Sequence, residues 1–531
     1  MTDAASVTPD PTAPATPAPA ALARATPTSA APAPATPTPA THAPAAPATS
    51  LPPVPTLTEV RPVPATPAVP VPAPVPSGAP TVLPDEHTYT ADELFFSTTD
   101  SAGRIRRANA IFMRLSGYPR GALVGRAHNV VRHPDMPAGA FRSIWEDLEA
   151  GNAASAYITN RSSDNGHYRV FATIVPSGSG YLSVRTLPML TDLRDQVEAA
   201  YARVRDVEEA SAAAGSTRRE VAAAGQAALQ AELQALGYAD AIDFTRRVLV
   251  AEVGALLAHG VGIPDSPQAE GPVARILAAM SRIESETAGL VGILQEGQRL
   301  VDLLGRRAGE IEALSSRLSA LREAMRAIGA DTAVLGTGAR ADDVAQRCQQ
   351  VDALILECSE QLHPLCGQIE ALSGDLDSVS FRVALARLHN LAAGIFALQI
   401  IEGQDEVDAN DAVGGLKELC TALSDGASTL TERVALLDAR RELVGGELDV
   451  VAEDLGVIQG PILELVEAAT AAGAAPADSV TTARTLAGEG FAEARDLADL
   501  AVRVRDFEVP YEAEAINRCL DDVRAALSEL E

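Results

Sequence analysis

From Thr191 to the C-terminus the chain is built almost without interruption from Ala, Leu, Glu, Arg and Gln, the residues with the highest helix propensity. This run permits little besides packed helices. Ile311, Leu314, Leu318, Leu321 and Met325 recur at spacings of three and four, and Leu448, Val451, Leu455, Ile458, Ile462 and Leu465 do the same. That spacing puts one apolar seam along each helix. Gly271-Pro272, Gly460-Pro461 and the region near Pro476 read as breaks between helices. The expectation is connector helices over 191–260 and an antiparallel, acidic helical bundle over 271–531.

The first 84 residues have the opposite character. Pro, Ala, Thr and Val dominate, so φ is fixed and backbone donors are missing at frequent intervals. With little to bury, ordering entropy is not offset, and the reading is a disordered tail. Between His87 and Leu190 the composition changes again, with a concentration of aromatic residues and the only tryptophan, Trp145. Leu94–Thr99 and Arg104–Arg107 read as strands, and Asn109–Ser116 and Met136–Ala150 as helices. Ser155–Arg161, His167–Pro176 and Gly180–Thr186 read as three further strands, with Asp164-Asn165-Gly166 as a hairpin turn. The fold class expected is a compact α+β domain followed by a mostly α-helical region.

Charge narrows the functions. The net charge is −29, while residues 87–190 carry eleven arginines against eight acids, so the helical part holds the negative excess. Phosphate backbones and anionic membrane surfaces would be repelled. No basic stretch with a following apolar core marks a leader, and the longest apolar candidate, Leu391–Ile401, is too short for a membrane span. Cys348, Cys358, Cys366, Cys420 and Cys519 match no zinc spacing, and an odd count of thiols suits the cytoplasm. No nucleophile–base pair or glycine-rich nucleotide loop stands out, and His363 and His389 read as ordinary helix residues. The expectation is a non-enzymatic protein.

The text of the α+β segment is more specific than its pattern. Phe96-Ser-Thr-Thr-Asp100, Ala108-Asn109, Leu115-Ser-Gly-Tyr118, His128-Asn-Val-Val-Arg-His-Pro-Asp-Met-Pro137, Asn160-Arg161 and Ser183-Val-Arg-Thr186 occur in order. This segment resembles the PAS domain of the bacterial aerotaxis receptor family. The resemblance implies a five-stranded antiparallel sheet with short helices, and FAD held as a redox reporter. By position it implies a flavin pocket of Asn109, His128, Arg132, His133, Asp135, Phe141 and Asn160. It further implies a homodimer, and output to a protein signalling partner such as a chemotaxis-type kinase complex. Leu376–Gly403 is faintly similar to that family's signalling hairpin. Ala154 and Arg169 stand where the family usually has aromatic residues. Haem ligation by His128 is a weaker alternative. A cofactor-free scaffold, with the domain serving dimerisation and protein binding, is the competing function.

Overall fold

The computed structural model describes residues 85–530, apart from 265, 267, 335–337, 404–408, 474–477 and 489. The N-terminal tail and the break expected near Pro476 lie outside the described residues. Five strands form one antiparallel sheet: β1 (Phe95–Asp100), β2 (Ile105–Ala108), β3 (Ala154–Arg161), β4 (His167–Ser177) and β5 (Gly180–Thr186). Their order is β2-β1-β5-β4-β3. Between β2 and β3 lie α1 (Ala110–Ser116), α2 (Arg120–Leu123), a 3-10 turn (His128–Val131) and α3 (Ala138–Glu149). The β3–β4 hairpin turns where the sequence indicates: Asn165 takes φ 71°, and Gly166 N–H donates to Asp164 Oδ1 at 3.0 Å. Gly180 is required at the start of β5, because a Cβ there would sit 1.9 Å from the Thr99 carbonyl oxygen.

The sheet has no wet face. Period-two alternation sends Ser97, Thr99, Ile158, Asn160, Ala172, Ile174, Ser183 and Arg185 towards α1–α3, and Phe96, Tyr157, Phe171, Leu182 and Val184 to the other side. Helices from the C-terminal region cover that second face. That region comprises α4 (Thr191–Ala213), α5 (Arg218–Ala235), α6 (Ala241–Ala258), α7 (Pro272–Ala288), α8 (Leu290–Val334), α9 (Ala339–Ile401), α10 (Ala409–Ala471), α11 (Asp478–Gly488), α12 (Glu493–Asp506) and α13 (Ala513–Leu530). Phe96 meets Phe396 of α9 edge to face at 4.8 Å, and Tyr157 meets Phe244 of α6 at 6.3 Å. Arg107 of β2 pairs with Glu418 of α10.

Two apolar cores result. One joins the sheet domain to α4–α7, the C-terminal half of α9, the start of α10 and α13. The other joins α8, α11 and α12 to the remainder of α9 and α10. The two 63-residue helices α9 and α10 run through both. The residues from Ala384 to Ala393 of α9 are buried without exception. α9 is long and apolar enough to cross a membrane, more so than Leu391–Ile401 alone suggests, and 83% of its apolar stretch is buried inside the protein.

One expected break does not occur. Gly271-Pro272 starts α7 as the sequence indicates, with Pro272 in the first turn. Gly460-Pro461, however, lies inside α10, which continues through it. An interior proline removes one hydrogen bond and crowds the preceding turn. Ile458, Ile462 and Leu465, buried on either side, hold the helix on its seam across the defect.

One residue ties the sheet to the helices that follow it. Glu252 of α6 is completely buried and accepts hydrogen bonds from Tyr157 Oη at 2.7 Å, Met189 N at 2.8 Å and Leu190 N at 3.1 Å. Burial raises its pKa, and the three donors oppose that shift. Glu252→Ala leaves the tyrosine hydroxyl and two backbone N–H groups without partners, and should lower stability by about 2–4 kcal/mol in urea unfolding. A loss under about 0.5 kcal/mol, the level of an ordinary surface substitution, would show that the latch carries no weight.

Candidate functional site

The inner face of the sheet and α3 enclose a cavity of about 420 Å³. Phe141, Ile144, Trp145 and Leu148 form its helical wall, at the helical spacing that puts them on one side of α3. Thr99, Ile158, Asn160, Ala172, Ile174, Tyr181, Ser183 and Arg185 form its sheet wall. Trp145 and Tyr181 meet edge to face at 5.3 Å and close one end.

Three polar groups on this wall are buried and find no partner in the protein: Asn160 Nδ2, Thr99 Oγ1 and Ser183 Oγ. An unpaired buried donor or acceptor costs free energy, so a cavity that keeps three is built to receive polar atoms. Arg132, whose backbone bridges to that of Asn160, places its guanidinium 4.3 Å from the centre of the Phe141 ring and donates to the Met136 carbonyl at 2.7 Å. Burial lowers the Arg132 pKa.

The deepest charge is Arg185. It is 3% exposed, lies over the Phe112 ring at 5.0 Å, and donates to Ser97 Oγ at 3.1 Å and to His128 Nε2 at 2.6 Å. No carboxylate pairs with it among the described residues, and burial lowers its pKa to about 10. Because a guanidinium can only donate, His128 must present a bare Nε2 and carry its proton on Nδ1. Burial first, then Arg185, pulls the His128 pKa down to about 3. That Nε2 is engaged by Arg185 and is not free to ligate a metal.

Of the residues singled out in the sequence, His128, Arg132, Phe141 and Asn160 come together on the cavity. Asn109, His133 and Asp135 do not line it. Asn109 caps α1: its Oδ1 accepts from Phe112 N at 3.4 Å and Phe96 N at 3.3 Å, and its Nδ2 donates to Gln399 of α9 at 3.3 Å. Asp135 points outward to Arg205 of α4 at 2.8 Å, and His133 packs edge to face on His167. Thr99, Trp145, Tyr181 and Ser183 were missed, as was Arg185. The last two lie in the quoted Ser183-Val-Arg-Thr186 run, whose period-two parity aims Tyr181, Ser183 and Arg185 at one face. Ala154 and Arg169, the two departures from the family, also lie off the cavity. Ala154 shares the parity of Ile174 but lies at the end of β3, in a small pocket with Ile144 of α3, Tyr201 of α4 and Phe244 of α6. Arg169 pairs with Glu86 at 2.7 Å.

The cavity wall is coupled to α4. Glu208 of α4 accepts from the first N–H groups of α3, Ala138 N at 2.9 Å and Gly139 N at 2.7 Å. A carboxylate there complements the positive end of the helix. A Cβ on Gly139 would lie 2.2 Å from the Gly225 backbone of α5, so the two helices touch main chain to main chain.

A twisted five-stranded antiparallel sheet in this order, with short helices and a cavity on one face, defines a PAS-type domain. Over 115 residues the chain is 40% identical to the aerotaxis receptor of Escherichia coli (strain K12), which covers 21% of this chain and 23% of that receptor. The chain therefore matches about a quarter of that relative's length. The LOV protein of Rhodobacter sphaeroides is 17% identical, covering 27% of this chain and 88% of its own, with a TM-score of 0.18. A fungal LOV domain photoreceptor is 18% identical over 21% of this chain and 81% of its own, with a TM-score of 0.16. No family model matches the chain.

His128 sets a pH dependence. Unfolded histidine titrates near 6.5 and the folded ring near 3, so between those values the unfolded state binds more protons and stability falls as pH drops. The expected loss from this group is about 2 kcal/mol between pH 7 and pH 5. His128→Asn should flatten that part of the profile in urea unfolding midpoints; an unchanged slope would show that the ring is not held neutral.

Proposed function

We propose that this chain is a sensory signal-transduction protein whose PAS-type cavity holds a flavin and whose helices relay its state to a protein partner. The observation that carries the reading is the set of unpartnered groups on the cavity, Asn160 Nδ2, Thr99 Oγ1 and Ser183 Oγ, facing an aromatic wall. A flavin ring is flat, apolar on its faces and edged with carbonyls and an N–H, which complements that arrangement. When bound, FAD supplies redox chemistry that a protein side chain lacks. Asn160 would donate to a ring carbonyl, Phe141 and Trp145 would pack against the ring, and Arg132 and Arg185 would favour the more electron-rich form. The likeness to the aerotaxis receptor over this segment supports the same reading.

The relay would run from α3 through Glu208 into α4, the connector that leaves the domain after Thr186. A change in the cavity that moves α3 must move or break the Glu208 contact, and a bistable packing can amplify such a shift. We read the chain as non-catalytic; nucleotide turnover by the purified protein would overturn that. The five free cysteines support a reducing compartment such as the cytoplasm.

The purified protein should show oxidised-flavin absorption that bleaches with dithionite, and Asn160→Leu should lower flavin occupancy with native circular dichroism. A spectrum that stays flat after FAD is added would exclude the flavin and favour the scaffold reading.

A second copy of the chain is the partner that α10 suits. Leu436, Leu443, Val450 and Val457 are exposed and stand seven residues apart on one face, with the small residues Ala439, Gly446 and Gly460 three positions after Leu436, Leu443 and Val457. A stripe of this period is a coiled-coil seam, and its small residues allow close approach. Leu443→Glu should shift sedimentation from dimer to monomer; a wild-type monomer at micromolar concentration would reject the seam.

A further inference from the structure

A second cavity, of about 240 Å³, lies where the ends of β3 and β4 meet α6, α9 and α10. Its lining brings together three guanidinium groups from three helices: Arg246 of α6, Arg382 of α9 and Arg433 of α10. None of the three is paired with a carboxylate among the described residues. Asp425 is the one acid on the wall, and Arg246 also feels the field of Asp377 without pairing to it. Arg382 Nε is buried and has no hydrogen-bond partner. Burial and the like charges of Arg433 and Arg246 pull the Arg382 pKa below its usual value, a sign of crowding among the three guanidinium groups.

At the inner end lies His389, seven residues after Arg382 and therefore on the same face of α9. It is 2% exposed, lines the cavity, and neither ring nitrogen has a partner. Burial lowers its pKa to about 4. Gly426 of α10 stands seven residues before Arg433, and a Cβ on it would meet nothing within 4 Å. Glycine weakens a helix interior, and here no neighbour requires it; it leaves room.

We propose that this cavity binds a small multivalent oxyanion, a phosphate or a dicarboxylate, gripped by Arg246, Arg382 and Arg433 with His389 at its base. Three converging cations repel one another, and an oxyanion converts that repulsion into charge-assisted hydrogen bonds. A buried imidazole offers one further N–H donor to an oxygen. Because the arginines come from α6, α9 and α10 at the edge of the sheet domain, the anion would fasten that domain to the bundle. The site is separate from the first cavity and does not depend on flavin.

Titration calorimetry of the full chain with inorganic phosphate, and separately with succinate, tests this at matched chloride. One saturable site is expected for at least one of them, with a Kd below about 1 mM. Stronger phosphate binding assigns a phosphate-type ligand and stronger succinate binding a dicarboxylate; either supports the site. Arg433→Gln, at the exposed mouth where folding is not at stake, should weaken binding about tenfold, the scale of one lost charge-assisted contact. Gly426→Leu should abolish binding with helical circular dichroism unchanged. No saturable heat, thermal shifts matched by chloride alone, or unaltered binding in Arg433→Gln would overturn the proposal.

Discussion

The structure depends on covering the second face of one small sheet. Phe96, Tyr157, Phe171, Leu182 and Val184 give that face more apolar surface than a wet sheet would carry. Fully burying a side chain of this size is worth about 1.5–3 kcal/mol, so the face must be covered. α6 and α9 do so, and their commitment dictates much else. α9 must be apolar all round where it lies between the sheet, α7 and α10, which explains a stretch that by composition could cross a membrane. It also brings the end of α9 and the first turns of α10 to the sheet domain, where Asn109 meets Gln399 and Arg107 meets Glu418.

Much of this was legible in the chain. The strands followed from alternation and from the Asp164-Asn165-Gly166 turn, because turn chemistry is local. The helices followed from propensity and seam spacing. Gly460-Pro461 was misleading because a proline breaks a helix only when the cost exceeds what packing returns, and packing is not local. For the cavity, Phe141 and Asn160 were readable from the resemblance, whereas Asn109 and Asp135 were drawn elsewhere by partners far along the chain, Gln399 and Arg205. Spacing within a motif cannot reveal such partners. Arg185 was hidden for a related reason: a buried arginine in a strand looks like any exposed one until the register shows which way it faces.

The two cavities place opposite demands on the same fold. The first offers unpaired neutral groups and a flat aromatic wall, which suits a ring. The second offers unpaired cations, which suits compact negative charge. Between them stand β3 and β4, whose inner side chains line one and whose ends line the other. Binding at either would be felt along those strands, and Glu252, which holds Tyr157 of β3, sits between the sheet and the connector.

The covering of the sheet by α9 comes late in synthesis. The strands are complete by Thr186, while Phe396, which covers Phe96, lies about two hundred residues later. At roughly 5–20 residues per second, the ribosome takes on the order of 10–40 s to deliver it. For that interval the finished sheet carries its aromatic face without the cover of α9 and α10. The nascent domain is then open to pairing with a neighbour on the same polysome, or to capture by a chaperone. Slow elongation between α6 and α9 would lengthen that exposure, so codon choice across 259–380 bears on yield as directly as any side chain in the core.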